Sequence, residues 1–183
     1  MIIQKPMLSK LKNPLALLAI LITLGFAVRY FMINAQAEDK GKAFTQALFA
    51  ATMPDDKGRP QALKQYAGKI VVLNFWATWC EPCREEMPEL SKLNDTYKSK
   101  NVVVLGVAID DVGAVSEFTK ETKVSYPLFA ADMAGMQYAT NLGNDKDVLP
   151  YTVIIKADGT VAKTYFGRVT KPLLEETLSK LFN

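Results

Sequence analysis

The sequence of 183 residues predicts an α/β domain in which helices flank a mixed central β-sheet, preceded by an N-terminal membrane helix. Apolar runs rich in β-branched residues alternate with segments of helical periodicity in the order β–α–β–α–β–β–α. The early strands are joined through helices, which implies parallel crossovers, whereas the last two strands form a hairpin and pair antiparallel. The third observation is an apolar segment near the N-terminus that approaches the length needed to cross a bilayer.

The apolar segment covers residues 15–28 and extends to Ile33 if Arg29 reaches the membrane interface. Three lysines precede it, and no acidic residue occurs before Glu38. Positive charge in front of a membrane segment favours a cytoplasmic N-terminus, so the rest of the chain is expected to lie across the membrane.

We therefore expect residues 1–37 to form a single span in the inner (cytoplasmic) membrane and residues 38–183 to form one domain that faces the periplasm or the cell exterior. The alternative is a signal peptide, because a basic region, an apolar core and a small-x-small triplet ending at Ala37 also fit the signal pattern. Cleavage near Ala37 would leave a soluble periplasmic domain. Both interpretations export the domain.

Composition excludes several classes of function. Lys and Arg number 22 and Asp and Glu 19, but four of the basic residues lie in the N-terminal segment. The remainder is nearly neutral, so we expect no nucleic-acid partner. The sequence contains no histidine, which removes the commonest metal ligand and the usual general base. Only two cysteines occur, and they are three positions apart. Because so few metal-ligating side chains are available, we expect no cofactor and no metal.

The domain begins with a polar lead-in at residues 38–61, in which a turn at residues 53–59 separates two short extended pieces. An apolar run at residues 70–75 predicts a buried central strand. A loop at residues 76–82 follows, and residues 83–100 carry apolar side chains at helical spacing.

The second half of the domain continues the alternation. We predict a buried strand at 102–109, a helix at 112–122, a short helix at 136–142, a hairpin of strands 151–156 and 161–166, and a last helix at 172–182 with Thr170 as a possible cap.

The two cysteines lie between the first buried strand and the helix that follows it, in the order Trp79-Cys80-Glu81-Pro82-Cys83. A helix N-terminus offers unpaired N–H groups and a positive dipole, which stabilise a thiolate at Cys80. Cys80 is therefore the expected nucleophile, and Cys83, one turn further on, is the expected resolving thiol. A static disulfide and half of a zinc site are the structural alternatives.

The segment from Asn74 to Pro88 resembles the active-site segment of the ResA/TlpA-like thioredoxin group, which are exported or membrane-anchored thiol–disulfide oxidoreductases. The resemblance runs from about Met53 to the C-terminus and includes Leu149-Pro150, where that group carries a cis-proline loop. It implies a thioredoxin-like fold, whose element order the chain shares, and thiol–disulfide exchange through the dithiol.

Asn74 stands where ordinary thioredoxins carry a buried aspartate that moves protons for the resolving cysteine, and an amide cannot do this. We expect Glu86 to replace it, because Glu86 lies three residues after Cys83 on the same side of the helix and the ResA-like group has a glutamate there. The alternative for Glu86, and the more natural interpretation of Glu85, is a solvated acid in the first helical turn.

The substrate groove beside the dithiol is expected to involve Trp79, Pro82, Leu149 and Pro150. X-Pro bonds tolerate the cis form, and a cis bond at this place would aim the Leu149 backbone at an incoming chain. Trp76 could also shape the groove, or it could belong only to the core.

Glu81 inside the motif is expected to disfavour the Cys80 thiolate and with it the reduced form, which predicts an electron donor. The expected substrates are disulfides of exported proteins, as in cytochrome c maturation or envelope thiol maintenance. The resemblance implies a membrane electron donor of the DsbD/CcdA type. A peroxiredoxin-like thiol peroxidase and a metallochaperone for copper-site assembly are the alternative functions.

Overall fold

The structure, a computed structural model, describes residues 14–182. The chain forms two compact units that divide between Asp39 and Lys40. The three lysines on which the predicted orientation of the N-terminus depends lie outside the described residues.

The first unit consists of the apolar part of helix α1, which spans Pro14–Ala50. Its large apolar side chains are exposed, and its most apolar window has a mean hydropathy of 2.2, so α1 is long and apolar enough to cross a membrane. The helix extends further than predicted, because residues 40–50, assigned to the polar lead-in at residues 38–61, are helical. These residues belong to the second unit, where Leu48 and Phe49 are buried and stabilise the last turns of α1.

The second unit carries all the strands that the structure describes. Its remaining elements are β1 Thr52–Pro54, β2 Pro60–Ala62, β3 Ile70–Trp76, α2 Glu81–Tyr97, β4 Val102–Ala108, α3 Val112–Glu121, β5 Leu128–Ala130, α4 Asp132–Asn141, β6 Tyr151–Ile155, β7 Val161–Phe166 and α5 Lys171–Ser179, with short 3₁₀ turns at Leu63–Tyr66 and Lys98–Lys100.

A five-stranded sheet has the order β5-β4-β3-β6-β7. Strands β3, β4 and β5 are parallel, whereas β6 pairs antiparallel with both β3 and β7. This confirms the predicted mixed sheet, with helical crossovers first and a hairpin last. Strand β5 was missed, because three residues are too few to show a period. The two extended pieces around residues 53–59 pair as the β1–β2 hairpin.

Helices cover both faces of the sheet. Residues of α2, α3 and α5 share one apolar cluster with the even-numbered residues of β3, and the last turns of α1 share the other cluster with α4 and the odd-numbered residues. All seven residues of β3 are buried, as its apolar run predicts. The carboxyl end of this central strand leads directly into the dithiol.

Candidate active site

Cys80 and Cys83 lie at the N-terminus of α2 and form a disulfide. Cys80 is the N-cap residue and Glu81 the first helical residue, so the helix begins two residues before the predicted start. Cys80 is 6% exposed and Cys83 is completely buried. The free N–H groups of the first turn and the helix dipole favour a thiolate at this end of the helix.

The loop that presents Cys80 is held by a carboxylate at the end of the neighbouring strand. The backbone N–H of Thr78 donates a hydrogen bond of 2.6 Å to Oδ2 of Asp110, which follows β4. The N–H of Cys80 in turn donates to the carbonyl of Ala77 at 3.1 Å. These bonds fix the turn after β3 and leave the Trp79 side chain 70% exposed at the rim of the site.

Glu86 is fully buried, three residues after Cys83 on α2. Its Oε1 accepts a hydrogen bond of 2.7 Å from Nδ2 of Asn74, and its Oε2 accepts one of 2.7 Å from the backbone N–H of Val169. Burial is the largest effect on its pKa and raises it from 4.5 to about 7, although the two hydrogen bonds and the charge of Arg168 oppose the rise. Glu86 is therefore not a solvated first-turn acid.

Asn74 connects Glu86 to the central sheet. Its Nδ2 donates both to Glu86 and to Oγ1 of Thr152, at 3.0 Å, and Thr152 is its register partner on β6. Both side chains are completely buried. The amide thus supplies a donor that favours the ionised form of Glu86.

Glu85 points to another side of α2, as its helical position predicts. Its side chain is 50% exposed and forms an ion pair with Arg168, which is 52% exposed. The two neighbouring glutamates therefore have opposite environments, although the sequence places both in the first turns of the helix.

A groove of about 390 Å³ runs beside the dithiol, lined by Trp79, Cys80, Glu81, Pro82, Met136, Asp147 and Leu149. Three of the four residues expected there are present. The fourth, Pro150, lies buried behind Leu149 and does not line the groove, and the Leu149–Pro150 peptide bond is cis, as predicted. Trp76 is completely buried and packs against the ring of Phe118, 5.1 Å between centroids, so it belongs to the core.

Comparison with known proteins places this geometry in a family. A family model described as Redoxin matches residues 36–181. The chain belongs to the Redoxin family. The match includes the dithiol, the groove and Glu86.

Individual relatives agree with this assignment. The thiol-disulfide oxidoreductase ResA of Bacillus thuringiensis is 38% identical over 128 residues, which is 69% of this chain and 72% of that protein. ResA of Geobacillus kaustophilus is 31% identical over 169 residues, 89% of this chain and 92% of that protein. A thiol:disulfide interchange protein from Chlorobium tepidum, 23% identical, has a TM-score of 0.64 over 73% of this chain and 93% of its own, which shows the shared fold. This Redoxin is a thioredoxin-like thiol–disulfide oxidoreductase.

Sequence reasoning missed several groups that line the groove of this Redoxin or hold Glu86 and the loop before Cys80. Val169 contributes only a backbone N–H, which no side-chain pattern can reveal. Met136 and Asp147 line the groove from α4 and the loop after it, far from the motif in sequence. Of these groups, only Asp110 could have been found from the sequence, because it is an acidic residue directly after a buried strand that runs parallel to β3.

Across residues 14–182, no cluster of three or more Cys, Asp or Glu side chains is arranged to hold a metal ion.

Proposed function

We propose that this oxidoreductase donates electrons to disulfides of exported proteins, with Cys80 as nucleophile and Cys83 as resolving thiol. The observation that carries the proposal is the position of the disulfide: Cys80 lines the open groove, whereas Cys83 is completely buried one helical turn behind it. A substrate sulfur can approach Cys80 from the groove, but it cannot approach Cys83.

The proposed reaction has two thiol–disulfide exchange steps. The Cys80 thiolate attacks one sulfur of the substrate disulfide, forming a mixed disulfide and releasing the other substrate sulfur as a thiolate. The Cys83 thiolate then attacks Cys80, which closes the Cys80–Cys83 disulfide and releases the second substrate sulfur. The substrate has gained two electrons and takes up two protons, while the protein has lost two electrons and the protons of its two thiols.

Glu86 is the proposed proton carrier for Cys83. It lies one turn further along α2, and its pKa of about 7 allows it to give or take a proton near neutral pH. Asn74 cannot replace it, because an amide does not ionise in this range. Burial supports the assignment, since a carboxyl group with a raised pKa in a redox site is a candidate for proton transfer.

The direction of electron flow is inferred from charge. Glu81 and Asp147 line the groove together with Cys80, and their negative charges disfavour a thiolate there. Destabilising the thiolate destabilises the reduced protein and makes it a better electron donor.

The proposed setting is extracytoplasmic. The proposed division is a membrane anchor at residues 1–37 and a thioredoxin-like domain at residues 38–183, and the long apolar part of helix α1 supports the anchor. The lysines that precede the apolar segment in the sequence are the argument for placing the domain on the periplasmic or exterior side. Cleavage of the chain near Ala37, which would release a soluble periplasmic domain, is the alternative.

A membrane electron donor of the DsbD/CcdA type would return electrons to the disulfide. Proteins of cytochrome c maturation and other envelope proteins with oxidised thiols are the proposed substrates.

Trapping with a Cys83→Ser variant tests the proposal, because the mixed disulfide at Cys80 can then no longer be resolved. We expect the Cys83→Ser variant to accumulate disulfide-linked complexes with exported proteins. A reducing agent should cleave these complexes. The double variant Cys80→Ser/Cys83→Ser is the matched control and should trap none. Equal yields from the two variants, or exclusively cytoplasmic partners, would contradict the proposal.

A further inference from the structure

The groove beside Cys80 carries two negative charges, from Glu81 and Asp147. Both side chains are exposed, and neither belongs to any of the ion pairs within residues 14–182. No lysine or arginine of those residues lines the groove, and its other side chains, apart from that of Cys80, are apolar. A substrate that brings a disulfide to Cys80 therefore meets two carboxylates on an otherwise apolar surface.

Asp147 is fixed at the wall of the groove. Its backbone has a φ of 49°, in the left-handed region, and its N–H donates to the carbonyl of Asn144 at 3.4 Å. The hydroxyl of Thr140, on α4, donates a hydrogen bond of 3.1 Å to Oδ1 of the Asp147 side chain. The carboxylate is thus already ordered, and a bound substrate does not have to immobilise it first.

The loop that carries Asp147 is tied down by a completely buried asparagine, Asn144. Nδ2 of Asn144 donates to the carbonyl of Val148 at 2.9 Å, and its Oδ1 accepts from the N–H of Val148 at 3.2 Å. The N–H of Asn144 donates to the carbonyl of Ala139, in the last turn of α4, at 2.9 Å. These bonds hold the chain on both sides of Asp147, so the fold itself places this carboxylate at the groove.

The basic residues next to the groove in sequence are directed elsewhere. Lys146 precedes Asp147, and its Nζ lies 5.0 Å from the centre of the Phe166 ring at the end of β7. Arg84 follows the dithiol on α2, and its guanidinium carbon lies 6.0 Å from the centre of the Phe118 ring on α3. Both are cation–π contacts. Neither basic side chain lines the groove, so neither neutralises its two carboxylates there.

We propose that Asp147, together with Glu81, selects substrates by charge, so that the preferred disulfides are those of proteins with a basic side chain beside the reactive cysteine. The apolar side chains of Trp79, Met136 and Leu149 contact the substrate without distinguishing its charge. This inference rests on the proposed function and names the substrate class of the same groove.

The selection arises from both attraction and repulsion. Because both carboxylates line the same groove as Cys80, a side chain that flanks the substrate cysteine comes within the Debye length, about 10 Å at 0.1 M salt. A lysine or arginine there is attracted, and an aspartate or glutamate is repelled. Oxidised glutathione, whose carboxylates outnumber its amino groups, is disfavoured for the same reason.

Single-turnover oxidation of the reduced full-length protein by two disulfide-bridged peptides tests the proposal. The peptides are identical except that lysines flank the cysteines in one and glutamates flank them in the other. Acid quenching followed by alkylation measures the protein thiols that remain at each time. We expect the lysine peptide to react faster, and the ratio of the two rates to fall as the salt concentration rises.

Asp147→Asn in the full-length protein removes the charge and keeps the geometry, because asparagine tolerates the left-handed conformation and retains an oxygen that can accept from Thr140. We expect this variant to lower the rate ratio roughly threefold at low salt, and Glu81→Gln/Asp147→Asn to lower it further. Asp145→Asn is the matched control, because Asp145 is exposed in the same loop but does not line the groove, and it should change the ratio much less. Differences in the intrinsic reactivity of the peptides or of Cys80 cancel when these ratios are compared.

The outcomes separate this inference from the proposed function. Equal rates for the two peptides, or a ratio that Asp147→Asn leaves unchanged, would overturn the selection by charge and leave disulfide reduction intact. Equal effects of Asp147→Asn and Asp145→Asn would overturn the assignment to the groove. Failure of the wild type to react with either peptide would overturn the proposed function and this inference with it.

Discussion

Replacing Glu86 by glutamine should change how the stability of the protein depends on pH. Glu86 has a pKa of about 7 in the folded protein and an ordinary value of 4.5, and its side chain is completely buried. A folded-state pKa above the unfolded value means that the folded protein holds the proton more tightly. Its contribution to stability is therefore complete below about pH 4.5 and is lost as the pH rises through about 7.

The difference of roughly 2.5 pKa units corresponds to about 3 kcal/mol between the two ends of this range. Glutamine is always neutral and does not suffer this loss. The free energy of unfolding of the wild type, relative to Glu86→Gln, should thus fall by about 3 kcal/mol between about pH 4 and about pH 8. Carboxylates common to both proteins, such as the low-pKa Asp55, cancel in the comparison.

Urea unfolding of the oxidised full-length proteins in a mild detergent, repeated across this pH range, measures the difference. Glu121→Gln is the matched control, because Glu121 is exposed at the end of α3 and is not paired with Arg168, and its difference from the wild type should vary much less with pH than that of Glu86→Gln. A pH-independent difference for Glu86→Gln would refute the reasoning, since it would mean that the buried carboxyl ionises as easily in the folded protein as in the unfolded chain.

Four further outcomes are expected. Limiting alkylating reagent should label Cys80 of the reduced protein before Cys83, because only Cys80 reaches the groove, and preferential labelling of Cys83 would reverse their roles. The reduction potential should lie well below the approximately −120 mV of DsbA and should rise in Glu81→Lys, whereas a wild-type value near −120 mV would contradict electron donation. A reporter fused to the C-terminus should be active only outside the cytoplasm, and cytoplasmic activity would remove the argument for export. Gly106→Ala should lower the free energy of unfolding by about 1–3 kcal/mol in urea titrations, because its Cβ would lie 2.5 Å from a leucine side chain of β5; an unchanged value would show that this region is loosely packed.

Much of the fold was predictable because its elements carry local signals. The apolar run of β3 and the helical spacing of α2 identify a strand followed by a helix, with the dithiol between them. The hairpin of β6 and β7 has a turn signature at Asp158-Gly159, and Gly159 has the positive φ of 86° that such a turn favours. The elements that prediction missed are short or depend on distant contacts. The last turns of α1 were assigned to the lead-in at residues 38–61, and they are anchored in the domain through the buried side chains of Leu48 and Phe49.

The local sequence was enough to identify the chemistry of this protein: a single dithiol at the start of a helix, no histidine, and an apolar segment at the N-terminus. These are properties of residue type and local spacing, which need no long-range information. Tertiary structure decided which glutamate is buried. Glu85 and Glu86 are neighbours in sequence, but only Glu86 faces Asn74 and the N–H of Val169, 83 residues further along the chain. Its raised pKa arises from that enclosure, because desolvation depends on everything packed around a carboxyl group and not on the segment that carries it.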